Sequence, residues 1–274
     1  MMKATVIPTR MFRAIRRARK PCYCVARGLA SVTGSAQIEA LVTELEQVDT
    51  AALCDADKTL LAQLGTYAGI RLLKSNVRPI NISDATSNHV MVGRARTVQC
   101  SERNDFLAVL HGLMLSEKGD VLMVDTCNSD RAVAGELFSL EAIQRGVKGI
   151  VIDGPMRDTV HVRDLPASMV RCYSTAVTPY SGTTQSPGIL DVPITCGGVT
   201  VNPGDIVIGD NDGLIVADKD TLETLLPQAK MILDAEEKLK DGILRGKSLA
   251  CLTSYEEHIE ARLAGQTSSL GFKV

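Results

Sequence analysis

The chain contains no tryptophan and only four phenylalanines and five tyrosines in 274 residues. Aromatic platforms on which single-stranded bases stack are therefore scarce. No uninterrupted apolar run approaches the ~20 residues that span a bilayer, so no membrane crossing is expected. The eight cysteines (Cys22, Cys24, Cys54, Cys100, Cys127, Cys172, Cys196, Cys251) form no C-x-x-C, and the four histidines form no H-E-x-x-H. This disfavours common zinc sites and a disulfide framework, and mostly buried free thiols in a reducing compartment are expected. G-x-G-x-x-G, G-x-x-x-x-G-K-[ST] and G-x-S-x-G are all missing. This disfavours dinucleotide binding, P-loop chemistry and a nucleophile-elbow hydrolase.

Acid is absent from the first 38 residues, which hold eight basic side chains (Lys3, Arg10, Arg13, Arg16, Arg17, Arg19, Lys20, Arg27). The formal charge of −2 thus conceals a +8 leader and a −10 body. On a helix, Met11, Ile15, Ala18 and Cys22 fall on one side, with arginines over much of the rest. An Arg-rich, acid-free, amphipathic segment has the composition of a transit peptide, so residues 1–36 are expected to direct the protein to the mitochondrion. A basic tail for nucleic acid or anionic membrane, and a disordered segment on a cytoplasmic protein, are the alternatives. The acidic body argues against direct nucleic-acid binding, which needs clustered Lys and Arg.

The body, with 45% hydrophobic and 23% charged residues overall, reads as globular. Helical spacing covers 37–49 and continues through 53–63; residues 66–88 read mostly as connection. His89–Cys100 reads as a strand with a Gly bend, 104–116 as a helix started by Asn104 or Asp105, and Val121–Val124 as a short buried strand ending at Asp125. A helix over 134–145, stopped by Gly146, leads to a strand at 149–152. From 168 onward, short β segments at 168–172, 175–178, 191–195, 198–201, 205–209 and 213–217 predict a mostly antiparallel section, with turns at Asn202–Asp205 and Asn211–Gly213. Helices follow at 219–242 and 253–264. The fold class is mixed α/β, with a domain over 37–247 and a C-terminal extension over 248–274.

Two strand ends carry candidate chemistry. In DTCNSDRAVAGELF (125–138) a polar loop enters a helix whose first-turn N–H groups favour an anion. In DGPMRD (153–158), Arg157 suits bidentate grip of a carboxylate and Asp158 suits Mg²⁺, which keeps most of its waters. Ligands collect beyond the carboxyl ends of parallel strands. A small 2-oxo acid would place its carboxylate on the 135–138 amides and Arg157, and its keto oxygen toward a metal on Asp158, an arrangement that stabilises an enolate. His111, on an apolar helix face, reads as a core or interface residue, and His161 as a surface residue near Asp158. The Gly209–Gly213 turn reads as turn chemistry rather than a metal loop. Asp234, Glu236 and Glu237 read as a solvated helix face.

GRARTV (93–98), KGDVLMVD (118–125), AGELFSLEAIQRGVKGIVIDGPMRD (134–158) and VTVNPGDIVIGDNDGLIVAD (199–218) resemble the regulator of ribonuclease activity A (RraA)-like family over about residues 38–247. That family includes divalent-metal 4-hydroxy-4-methyl-2-oxoglutarate aldolases. The resemblance implies a swivelling β/β/α fold, a homotrimer or dimer of trimers, and active sites between subunits. It implies pyruvate bound by Gly135, Glu136, Leu137 and Phe138, substrate held by Arg157, and Mg²⁺ or Mn²⁺ on Asp158. It also implies a glutamate from a neighbouring subunit's C-terminal helix, whose counterpart in this sequence is Glu237. The implied activity is a class II-type pyruvate aldolase on a small 2-oxo acid, with oxaloacetate decarboxylation; the general base is left open. A non-enzymatic branch of the family binds a ribonuclease, and a regulator of a ribonuclease or RNA helicase is the alternative. In that branch the Asp after Arg is replaced, whereas this chain keeps Arg157-Asp158. The TCNSDRAV loop (126–133) and the 248–274 tail depart from the family pattern.

Overall fold

The computed structural model describes residues 32–74, 76–82 and 89–273. The transit-peptide reading falls on residues 1–31, outside those described; residues 32–36 open the first helix. By backbone contacts the chain divides into Met1–Ala40 and Leu41–Val274. Of the first unit, only the opening turns of that helix are described.

Helix α1 (Val32–Leu45) and helix α2 (Thr50–Leu64) replace the single continuous helix expected. The break arises because the Asp49 side chain accepts from Ala52 N at 2.8 Å, capping a new helix start. Among the described residues of 66–88, two short strands form, β1 (Arg71–Leu72) and β2 (Arg78–Pro79). Strand β3 (Met91–Gln99) is followed by α3 (Leu107–Leu115), β4 (Asp120–Asp125), α4 (Glu136–Arg145) and β5 (Gly149–Met156). Next come α5 (Thr159–Arg163), β6 (Arg171–Val177), β7 (Ile189–Leu190) and the hairpin of β8 (Ile194–Cys196) and β9 (Val199–Val201). Strands β10 (Ile206–Gly209) and β11 (Leu214–Ala217), then helices α6 (Lys219–Leu244), α7 (Leu249–Leu252) and α8 (Tyr255–Leu263), complete the chain.

Four strands, β3–β4–β5–β6, run parallel at the centre of the main sheet. Strands β10, β11 and β1 extend it antiparallel beyond β3, and β2 closes the other edge against β6. Alternate residues of a strand face opposite sides. Val98, Leu122, Val124, Ile150 and Ile152 therefore pack under α3 and α4 with Ala108, Leu113 and Ala142. Val121, Met123, Val151 and Tyr173 pack on the other side against Ile194, Cys196 and Val201 of the hairpin. The result is the expected α/β class in β/β/α layers.

The structure corrects several expectations. The 168–172 and 175–178 segments are one strand, β6, and it is parallel to β5, not part of an antiparallel section. β5 runs on to Met156 through an irregularity between Ile152 and Pro155. Gly93 makes no bend; β3 passes straight through it, and a Cβ there would stand 2.6 Å from Gly119 O on the neighbouring loop. α3 starts after Phe106, and the Asp105 carboxylate accepts from Leu107 N at 2.8 Å. The 248–274 extension folds back onto α6: Leu252 packs against Gly242, and Lys273 N donates to Leu252 O at 2.8 Å. Among the described residues, no helix is long and apolar enough to cross a membrane.

The Gly209–Gly213 turn has a structural task. Asp210 is fully buried, and its carboxylate accepts from Thr50 N at 2.8 Å, Thr50 Oγ1 at 2.9 Å and Asp212 N at 2.9 Å. It fastens the start of α2 to the β10–β11 turn. Asp210→Ala leaves the two Thr50 donors buried without this acceptor. The expected loss is about 2–4 kcal/mol, seen as a lower urea midpoint with an unchanged m-value; an unaltered midpoint contradicts the role.

Candidate active site

The first-turn N–H groups of α4 open a cleft at the carboxyl ends of the parallel strands. Residues 132–134 run alongside the end of β5: Val133 N donates to Pro155 O at 3.2 Å and Arg157 N to Ala134 O at 3.1 Å. Ala132 is bridged on its other side to Ser181. These bonds bring the two loops singled out from the sequence together. The cleft encloses about 320 Å³, its open mouth included, and is lined by Phe106, Ala132–Gly135, Leu137, Phe138, Arg157, Asp158 and Ser181.

Gly135 caps α4 without any side chain of its own to offer the first-turn amides. Only a small residue fits there. A Cβ on Gly135 would lie 2.6 Å from Asp158 Oδ2 and 3.0 Å from Arg157 Cγ. The Asp158 carboxylate leans over this glycine: Oδ2 lies 3.4 Å from Arg157 Nε and accepts from Glu136 N at 3.4 Å. Asp158 precedes α5 in a left-handed conformation, φ 56°, and makes no capping bond to α5. Its backbone thereby aims the side chain back at α4. Arg157 and Asp158 remain partly open to solvent, with side chains 41% and 38% exposed. The other face of the cleft is apolar, where Phe106 and Phe138 meet edge-to-face with centroids 6.1 Å apart.

Other candidates separate from this centre. His161 Nδ1 lies 3.8 Å from Glu136 Oε2 at the rim and is surface-exposed, as expected. His111 is exposed, not a core residue, with Nδ1 3.4 Å from Pro187 O; α3 is apolar enough that the helix face alone misled. Glu237 is exposed on α6 and does not line the cleft of a single chain. Asp234 and Glu236 are exposed on the same helix. Burial pushes the thiols of Cys54 and Cys172 up to about 11 and that of Cys100 up to about 12, with nearby carboxylates adding to the first and last. Among the described cysteines, Cys100, Cys172 and Cys196 are buried, Cys54 is half-buried, and Cys127 and Cys251 are exposed. Among the described residues, no group of three or more His, Cys, Asp or Glu is placed to hold a metal ion.

Phe106 and Ser181 went unread in the sequence because their segments join the cleft only through long-range bonds. Asp105 is the link. Almost wholly buried, it accepts from Leu107 N at 2.8 Å, Ser186 N at 3.2 Å, Thr183 Oγ1 at 3.2 Å and the Gln185 N–H. Its run of following hydrophobics was legible as a helix start, but its partners 78–81 residues away were not.

The family model described as RraA-like, Aldolase/RraA, matches residues 50–216, more than half of the chain. A Halalkalibacterium halodurans protein that bears the provisional name 4-hydroxy-4-methyl-2-oxoglutarate aldolase is 33% identical over 219 residues, covering 80% of this chain and 95% of that protein. The 4-hydroxy-4-methyl-2-oxoglutarate aldolase of Thermus thermophilus is 34% identical over 126 residues, covering 45% of this chain and 73% of its own. Among solved structures, a Streptomyces coelicolor protein described as an unusual member of the RNase ES inhibitor RraA family superposes with a TM-score of 0.56 at 29% identity, covering 76% of this chain and 96% of that one.

Burial pushes the Asp105 carboxyl up, but the N–H groups of Gln185, Leu107 and Ser186 outweigh it and hold it below its ordinary value of 3.8. A carboxylate with a lowered folded value stabilises the native state above its unfolded value, and that contribution is lost as pH falls through the folded one. Asp105→Ala should cost about 2–4 kcal/mol at pH 7, and the gap to wild type should shrink only below pH 3.8. Urea unfolding at several pH values checks this; a gap that shrinks already between pH 7 and 5 contradicts it.

Proposed function

The chain belongs to the RraA-like, Aldolase/RraA family, and on that premise we propose that it is a divalent-metal-dependent aldolase. It cleaves 4-hydroxy-2-oxo acids of the 4-hydroxy-4-methyl-2-oxoglutarate type to pyruvate, and it decarboxylates oxaloacetate. The observation that carries this reading is the Asp158 carboxylate held against Gly135, beside Arg157 and the glycine-capped start of α4.

The substrate carboxylate fits the α4 amides of Glu136, Leu137 and Phe138, where the helix dipole adds positive potential. Arg157 supplies a planar donor pair to the same carboxylate or to the neighbouring keto oxygen. Asp158 suits a cation: it is partly solvated and leaves its own helix uncapped, so one carboxylate plus water is the donor set. That set fits Mg²⁺ or Mn²⁺ and not the closed nitrogen–sulfur site of zinc. When bound, the cation supplies charge that stabilises the enolate formed on C–C cleavage. In that cleavage the C4 hydroxyl gives up its proton, the C3–C4 bond breaks as C4 becomes a carbonyl, and the electron pair passes into the pyruvate enolate, which is then protonated at C3. The Phe106–Phe138 wall keeps water from one side of the reacting carbons.

Leu137, Val160 and Tyr180 are 72%, 63% and 66% exposed around the cleft. Such an apolar rim supports assembly as a homotrimer or dimer of trimers in which a second copy covers it. In that arrangement Glu237 enters the site only from a neighbouring subunit. The likeness to the Streptomyces coelicolor RNase ES inhibitor relative supports a second reading, a regulator that binds a ribonuclease. Retained binding of a ribonuclease by a protein that releases no pyruvate would favour it.

Purified protein loaded with Mg²⁺ or Mn²⁺ is expected to release pyruvate from 4-hydroxy-4-methyl-2-oxoglutarate and from oxaloacetate, and EDTA is expected to stop it. Arg157→Ala and Asp158→Ala should each lower kcat/KM by about 10²–10³-fold. The assay is coupled oxidation of NADH by lactate dehydrogenase. No pyruvate from either substrate sinks the aldolase reading.

A further inference from the structure

One cation at the rim of the cleft has no role so far. Arg131 directly precedes Ala132, and Tyr180 directly precedes Ser181; Ala132 and Ser181 both line the cleft and are bridged to each other. Ala132 N donates to Tyr180 O at 2.8 Å, and Gly182 N to Ala132 O at 3.1 Å. The Arg131 guanidinium carbon lies over the Tyr180 ring, 3.9 Å from its centroid. The backbone beneath is held as well. Arg131 N donates to Ser129 Oγ at 3.1 Å, and Asn104 Oδ1 accepts from Ser129 Oγ and Asp130 N, each at 2.9 Å.

The neighbouring charges have partners: Arg103 pairs with Asp130 at 3.1 Å, Arg157 with Asp158 at 3.4 Å and His161 with Glu136 at 3.8 Å. Among the described residues, Arg131 pairs with no carboxylate. An aromatic face holds a cation in place without neutralising it. The structure thus fixes a net positive charge one residue from the cleft, apart from the charge of Arg157. Four steps of chain lead from Arg131 to Gly135, at most roughly 13 Å at about 3.3 Å each. An arginine side chain and a five-carbon diacid together bridge that distance.

We propose that Arg131, seated on Tyr180, is a specificity-determining residue that receives the second carboxylate of a dicarboxylic 2-oxo acid whose first carboxylate lies at the α4 amides and Arg157. The proposal rests on the aldolase reading for where the first carboxylate sits. A fork of N–H donors fixed by stacking matches a carboxylate in geometry and charge. A monocarboxylic ligand leaves it unused.

Titration calorimetry on the full chain with Mg²⁺, using pyruvate and 2-oxoglutarate as probes, tests this without requiring turnover. Wild type should bind 2-oxoglutarate about tenfold or more tightly than pyruvate. Arg131→Met should remove that preference and leave pyruvate affinity within about twofold; Arg131→Lys should recover part of it. Absence of a diacid preference in wild type overturns the proposal. So does an equal loss for both ligands, or a change in oligomeric mass with the preference intact. A preference that depends on Arg131 in a protein that releases no pyruvate upholds this assignment and sinks the aldolase reading; pyruvate release with a preference unmoved by Arg131→Met does the reverse.

Discussion

An oxygen of the Asp158 carboxylate lies where a side chain on Gly135 would begin. The rest of the site depends on that close approach. It requires a glycine at the α4 cap, a left-handed residue at the end of β5, and a chain between them that is bonded on both sides. The bond from Val133 N to Pro155 O and the bond from Arg157 N to Ala134 O provide the last of these. The left-handed Asp158 is strained for a non-glycine residue. The surrounding bonds offset that cost and turn the carboxylate toward α4 instead of α5.

The parallel sheet makes this juxtaposition possible. β4 and β5 are adjacent and in register from Val121–Gly149 to Asp125–Asp153, so both chains leave the sheet at the same edge. The irregularity between Ile152 and Pro155 then lets β5 continue past that edge and carry Arg157 and Asp158 over the start of α4. Charge is arranged along the same lines. The body is acidic as a whole, while two arginines, Arg157 and Arg131, stand beside the opening where a small anion would enter.

Much of this was legible before the structure. The order of elements from 89 to 158, the α4 stop at Gly146 and the Arg157-Asp158 pair all follow from local pattern, because periodicity and caps act within a few residues. Pairing acts over longer stretches and was not legible. The sequence pattern splits β6 into two antiparallel fragments, since a buried parallel strand and a hairpin strand share the same β-branched composition. Phe106, Ser181 and the Arg131–Tyr180 stack come from segments 49 to 75 positions apart, and no local signal joins them. The core option for His111 fails because α3 is apolar on nearly every side, so its face could not be assigned from spacing.

The central claim is that one divalent cation and one 2-oxo acid meet at Asp158 and the α4 start. A crystal soaked with Mn²⁺ and pyruvate, with data collected at the manganese edge, tests it most directly. The account predicts one anomalous peak per chain at the Asp158 carboxylate, with the pyruvate carboxylate against the Glu136–Phe138 amides. Manganese bound elsewhere with Asp158 unoccupied, or pyruvate lying outside this cleft, would contradict it.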